Sequence, residues 1–366
     1  TPALPNPEAI FQTGHMGLMS PPGLPLFWQD PAPEQVGLQP DVAVQVTSAV
    51  ARGEFPCLHA LLILRHGRPA AECYFEGRDA VWGKDLGTVQ HGAGKLHDLR
   101  SVTKSEVGLL YGIARSDGIV PPSSARLMGL YPQFDDGDPL RRRITIGHVL
   151  SMRLGLTWNE GTDYDSPANS EIQMEATPDR IRYVLTRPMA EPPGGTWVYC
   201  GGATALLADL IARGSGLDLE AYARTKLFAP LGITDLDWVR GADGTPVGSS
   251  GLRLLPRDLA RIGQMVLDRG RASGHSVVPP SWLATSFRPR GHVESGLRYG
   301  YHWWIGSLAA SGKAWAAAYG NGGQRLIIIP SLKMVVVILA GNYNAPDQWK
   351  MPLRLMTGIA IPSVIH

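Results

Sequence analysis

Two apolar runs, residues 58–65 (LHALLILR) and 69–76 (PAAECYFE), flank His66-Gly67-Arg68. Runs of this kind about a short glycine-containing turn predict a β-hairpin. A loop rich in Gly and His is expected from Gly83 to Gly94. Beyond it, apolar residues at 102, 107, 109, 110 and 113 have the spacing of one helix face, with Gly118 placed to end the helix. Further helical patterns follow at 144–152, 178–185, 203–213 (stopped by Gly214) and 219–227. Residues 255–268 predict another helix, with Pro256 suited to its first turn, and 280–287 a shorter one. Strand-like runs return at 299–305, 314–319, 324–329 and 334–339, and 352–361 predicts a closing helix.

Strands near both ends with helices between them predict an α/β (α+β) fold whose sheet is built from both termini. We expect an extended, proline-rich segment over 1–40, an α/β lobe from 41–120 and 255–366, and an inserted, mainly helical lobe over 121–254. No internal repeat is visible. The chain begins at Thr1, not Met, which suits an exported protein, periplasmic or secreted, as well as a trimmed cytoplasmic one.

Composition narrows the function classes. With 44% hydrophobic and 18% charged residues, the chain has the balance of a protein that buries a core. A net charge of +2 lacks the basic footprint of a nucleic-acid binder. The longest apolar stretch, 326–340, is broken by Pro330 and Lys333, so no membrane span is expected. Cys57, Cys73 and Cys200 allow at most one disulfide, and whether Cys57 and Cys73 pair is left open. No Cys or His spacing matches a zinc site, the nearest being His91 with His97. The histidines look scattered, and no metal or cofactor is expected.

The first candidate chemistry is Ser101-Val102-Thr103-Lys104. Residues i and i+3 share a helix face, and a serine needs a base beside it to become nucleophilic. A lysine buried at a helix N-terminus is pushed toward its neutral form, able to take the serine proton. With 22 Ser and seven Lys in 366 residues, chance alone supplies about 0.4 such pairs, so the motif has little weight by itself. The second is Tyr199, delivered by a Gly-rich turn at 193–195 ahead of a helix. Beside an ammonium its phenol would become a usable base. The third is Gly320-Asn321-Gly322-Gly323-Gln324, glycines ahead of a strand that let a ligand approach the backbone. Cys200 reads as a small buried residue, and Ser116-Asp117-Gly118 as a helix stop. No serine sits in G-x-S-x-G, and neither H-E-x-x-H nor a phosphate-binding glycine loop occurs.

Together and in this order, the elements resemble the serine β-lactamase and penicillin-binding protein superfamily, in its class C-like branch of esterases and amide hydrolases. Residues 144–156, 195–238, 251–268, 299–304 and 320–340 are similar as well. The resemblance implies a two-lobed β-lactamase-like fold, an antiparallel sheet flanked by helices plus the inserted helical lobe. It implies Ser101 as the acylated nucleophile, Lys104 as its base partner and Tyr199 as a proton shuttle. Asn321, Gly322 and Gly323 would stand in the K-T-G place, and the backbone N–H groups of Ser101 and Gln324 would form the oxyanion hole. Gly201 replaces the asparagine of Y-x-N, and Asn321 the lysine of K-T-G. Both departures argue against substrates recognised by a carboxylate, and for a small neutral ester or amide. Trp158, Asp163 and Tyr164 are candidates for the cleft rim. The alternatives are a β-lactamase or D-amino-acid peptidase, a hydrolase of 6-aminohexanoate oligomers, an acyltransferase, and a non-catalytic binding protein of the same fold.

Overall fold

The computed structural model describes residues 30–164, 166–294 and 296–365. Helix α1 (Val42–Ala51) precedes strands β1 (Leu58–Arg65) and β2 (Arg68–Tyr74), a hairpin whose two-residue turn has positive φ at both His66 (52°) and Gly67 (74°). That is the turn whose twist matches paired strands. A second hairpin follows, β3 (Glu76–Val81) and β4 (Lys84–Gln90), turning at Trp82 and Gly83. It replaces the loop expected over 83–94. The ribbon is largely exposed and polar, so no apolar alternation marked it.

The two-residue strand β5 (His97–Asp98) leads into α2 (Val102–Ser116). Every residue of α2 from Val102 to Ala114 is buried, the condition of a helix packed on all sides. The chain then runs through short helices, including Ile146–Leu150, Ser170–Glu175 and Arg180–Leu185, to α3 (Gly201–Ser215), which packs along α2. Gly216, with φ of 72°, caps α3. The expected stop, Gly214, lies inside the helix, where a Cβ would meet the Ile119 carbonyl at 2.4 Å.

Strands β6 (Leu236–Trp238) and β7 (Leu252–Leu254) pair, and β7 also pairs β5. Helix α4 (Pro256–Leu267) precedes the C-terminal strands β8 (Gly291–Glu294), β9 (Leu297–Tyr299), β10 (Trp304–Ser307), β11 (Ala314–Gly320), β12 (Gln324–Ile329) and β13 (Met334–Ala340). The run expected as one strand at 299–305 folds back on itself, pairing Arg298 with Ile305 and Tyr299 with Trp304. The main sheet is antiparallel, in the order β8-β9-β10-β11-β12-β13-β1-β2. Strands from both ends of the chain therefore meet at β13 and β1.

Alternation along β1 sends Ala60, Leu62 and Leu64 into one core and Leu61 and Ile63 into another. The sheet is covered on both faces, α2 and α4 on one and α1 with the C-terminal helix α5 (Lys350–Leu355) on the other. That is why β1, β12 and β13 read as continuous apolar runs. Of the N-terminal segment expected to be extended, residues 1–29 lie outside the described residues. Glu34–Val36 form a 3₁₀ turn, and Leu38 bridges to Val364. All three cysteines are free. Among the described residues no helix is long and apolar enough to cross a membrane.

Candidate active site

The turn before α2 is built to hold Ser101. Asp98 accepts the N–H of Trp82 at 2.7 Å and of Arg100 at 3.1 Å, and Arg100 stands at φ of 49°. A non-glycine residue in that region is held there by its surroundings. Ser101 opens α2 without capping it by its side chain and is 7% exposed. One turn on, Lys104 Nζ donates to Ser101 Oγ at 3.0 Å and to the Ser249 carbonyl at 2.9 Å, and lies 3.4 Å from Glu171 Oε2. Three acceptors match the three donors of an ammonium.

The expectation of a neutral Lys104 amine is therefore corrected. Burial works against its charge, but the Glu171 carboxylate, aided by Tyr199 and Glu160, outweighs that and raises Lys104 above its ordinary value. Glu171 is held below its own by the same pairing, against the opposing effect of burial. Lys104 stands as a donor to Ser101 Oγ.

Tyr199 precedes α3 by two residues and is electrostatically coupled to Lys104 and Ser101. Lys104 Nζ lies 4.9 Å from its ring centroid. Trp197, Tyr299 and Trp304 box the ring at 5.7–6.4 Å between centroids. Burial raises the phenol above an ordinary tyrosine, and Lys104 pulls it back only in part. The expected net fall does not occur. Cys200 is buried and its thiol is pushed up by that burial, which leaves it inert.

Two acids that the sequence did not single out complete the site. Glu171 is in the first turn of the helix Ser170–Glu175, where Asn169 caps the N–H groups of Glu171 and Ile172. Ser250 donates to its Oε1 at 3.1 Å. Glu160 accepts from Trp158 Nε1 at 2.7 Å and from the Gly201 N–H, and it shares a hydrogen bond with Glu171. Burial and the Glu171 charge push Glu160 up to about 8, so the two carboxyls hold one proton between them near neutral pH. A Cβ on Gly201 would stand 2.9 Å from Glu171 Cδ and 3.0 Å from Glu160 Oε1. Gly201, a candidate substrate contact, lies against the acid pair. Its bare backbone makes room for the two acids.

The remaining candidates divide. Gly320 brings the end of β11 against the turn before Ser101, since a Cβ there would meet the Leu99 carbonyl at 2.4 Å. Gln324 begins β12 with its side chain locked to both backbone groups of Ala340. The Asn321 amide is engaged with Asn344 in both directions, donating at 2.6 Å and accepting at 2.9 Å. Gly322 and Gly323 form the turn, at φ of 92° and 101°. Arg325, 7% exposed, directs Nη1 to the carbonyls of Gly320 and Gln324. Tyr164 reaches the acids, its hydroxyl 3.3 Å from Glu160 Oε2. Trp158 is an 8% exposed core residue, packed on Tyr183, and not part of a rim. Asp163 is exposed on its loop.

A family model described as Beta-lactamase matches residues 47–350. The chain is 28% identical over 341 residues to the 6-aminohexanoate-dimer hydrolase of Paenarthrobacter ureafaciens, spanning 84% of this chain and 78% of that protein. Monacolin J acid methylbutanoyltransferase of Aspergillus terreus is 33% identical over 128 residues, 33% of this chain and 30% of that one. Among solved structures, EstCE1, a hydrolase with promiscuous acyltransferase activity, superposes with a TM-score of 0.67 at 16% identity, over 87% of this chain and 96% of its own. A class C beta-lactamase does so with 0.63 at 14%, over 87% and 95%. The match to most of the chain, with a serine, a lysine and a tyrosine gathered in one place, settles the relationship: the chain belongs to the Beta-lactamase family and is a serine hydrolase.

Proposed function

We propose that the chain cleaves a small, neutral carboxylic ester or linear amide through an acyl-enzyme on Ser101, with no cofactor. The observation that carries this is Ser101 Oγ, 3.0 Å from Lys104 Nζ, with the Tyr199 ring centroid 4.9 Å from the same Nζ. Segments 41–120 and 255–366 supply Ser101, Lys104 and Gln324, and the inserted segment 121–254 supplies Tyr199, Glu160 and Glu171. Glu171 keeps Lys104 protonated, and the ammonium stabilises the negative charge that grows on Ser101 Oγ during attack. Burial favours the neutral phenol, so Tyr199 acts in the minor fraction of molecules that carry it as phenolate, where it takes the Ser101 proton and returns it to the departing amine or alcohol when the tetrahedral adduct collapses. Water then follows the same path in reverse and frees the acid. The backbone N–H groups of Ser101 and Gln324 hold the oxyanion.

The substrate class rests on the two departures. Gly201 offers no amide side chain, Asn321 is committed to Asn344, and Arg325 is turned to carbonyls. A carboxylate-bearing β-lactam or D-amino-acid peptide has no free partner among these groups, whereas a neutral ester or amide needs none. Intact mass after incubation with a fluorophosphonate should show one adduct on wild type and none on Ser101→Ala. A panel of p-nitrophenyl esters, 6-aminohexanoate dimer and nitrocefin sorts the substrates, and rapid nitrocefin turnover would refute the argument from Asn321. A second reading, transfer of the acyl group to an alcohol, is favoured by the transferase relative and by EstCE1. Product analysis with added alcohol decides it.

A further inference from the structure

We infer that His59, Asp79, His91 and His97 form a buried binding site for one divalent transition-metal ion of the zinc type. The four come from different places in the chain: β1, β3, the residue after β4, and β5. One ligand atom from each lies within 4.8 Å of all the others. Their exposures are 0%, 4%, 7% and 1%.

The hydrogen bonds leave this cluster incomplete. The Nδ1 of His97 lies 3.0 Å from the Asp98 carbonyl, an acceptor only, so Nδ1 carries the proton and Nε2 presents a lone pair. That lone pair faces His59 Nδ1 at 2.9 Å. A proton on His59 Nδ1 would leave His59 Nε2 bare in the interior, where it has no partner. The Nε2 edge is also closed, since a Cβ on Gly77 or Gly341 would come within 2.6–2.7 Å of it. His91 Nε2 is buried without a partner too. Asp79 Oδ1 accepts from Tyr343 at 2.7 Å and from the Ala80 N–H at 2.8 Å, while Oδ2 sits 4.0 Å from His91 Nε2. Apart from the one His59–His97 hydrogen bond, the three imidazoles find no partner on this side, and an Asp79 oxygen converges with them.

Three nitrogens and one oxygen are a zinc donor set, and four protein ligands make a closed, structural site. Bonds of about 2.0–2.2 Å in a tetrahedron place ligand atoms about 3.3–3.6 Å apart. The observed 2.9 and 4.0 Å bracket that value. Closure asks the rings of His59 and His91, now stacked at 3.9 Å, to splay so that both lone pairs meet the ion. The outer partners are already in place: the Asp98 carbonyl behind His97, and Tyr343 behind Asp79. A metal here would pin the β3–β4 ribbon to β1 and to the turn that carries Ser101. Tyr343 extends the brace to the 321–323 turn, because it lies against Gly322.

The test uses full-length protein stripped with dipicolinate, then titrated with Zn²⁺ against a chromophoric chelator. One equivalent should bind with submicromolar affinity, and Co²⁺ should give the strong visible bands of a four-coordinate ion. His91→Gln and Asp79→Asn should each weaken binding on the order of a hundredfold, while His275→Gln, at an exposed histidine, should leave it unchanged. Wild type that binds no equivalent below about 10 μM, six-coordinate Co²⁺ bands, or unaltered affinity in His91→Gln would each overturn the assignment. The Co²⁺ spectrum of wild type decides the matter even where a variant fails to fold.

Discussion

Glu160→Gln should stabilise the protein, and increasingly so as the pH rises from about 5 to about 8. In the folded chain burial and Glu171 hold the proton on Glu160 up to about 8, whereas the unfolded side chain ionises near its ordinary 4.5. The folded state binds that proton more tightly, so wild type loses stability as the pH climbs between those values. A glutamine, which does not ionise, escapes the loss. At about 1.36 kcal/mol per pH unit, the ceiling is about 5 kcal/mol. The expected gain is about 1–3 kcal/mol, because the amide must also suit the Tyr164 hydroxyl. The glutamine oxygen still accepts from Trp158 and Gly201, and its N–H still donates to Glu171. Glu171→Gln should do the reverse. Charges 3.4 Å apart attract by about 5 kcal/mol at an effective dielectric of about 20, and breaking a buried pair costs about 3–5 kcal/mol. Part of that is recovered when Glu160 ionises in its place, so the double variant should lose more than the two singles together. Urea unfolding of all four proteins at pH 5, 7 and 8.5 reads these differences. If Glu160→Gln is as destabilising as Glu171→Gln, or tracks wild type at every pH, the assignment of one proton to the pair is wrong.

Tyr199→Phe should lower kcat by about 10²–10⁴-fold with an ester substrate, with far-UV circular dichroism unchanged, since it removes the proton shuttle and keeps the ring. Gly201→Asn should cost about 1–3 kcal/mol in thermal or urea unfolding, because its first side-chain atom meets both acids at 2.9–3.0 Å. Glu106, fully buried, has no hydrogen-bond partner on either carboxyl oxygen, and burial pushes it to about 8. Glu106→Met should gain stability over wild type as the pH rises from 5 to 9, and a pH-independent difference would count against a buried neutral acid.

How much could be read from the letters follows from where each residue sits. The strands β1, β12 and β13 were legible because burial on both faces leaves long apolar runs. Ser101, Lys104 and Tyr199 were legible as an ordered set of motifs. Glu160 and Glu171 were not, because an acid in a polar segment looks like surface. The one clue was Gly201, whose missing side chain implied that something else fills the space. The β3–β4 ribbon was hidden by its exposed, charged composition. The histidine cluster was hidden by topology, since 59, 79, 91 and 97 have no ligand spacing until the strands are laid side by side.

The vacancy at Gly201 also shapes the routes open to evolution and to protein engineering. An asparagine at that position alone drives an amide into two carboxyls, and removing Glu171 alone takes away the main support of the charge on Lys104. A side chain at 201 therefore has to follow changes at 160 and 171. The order in which positions 160, 171 and 201 can change is thereby constrained.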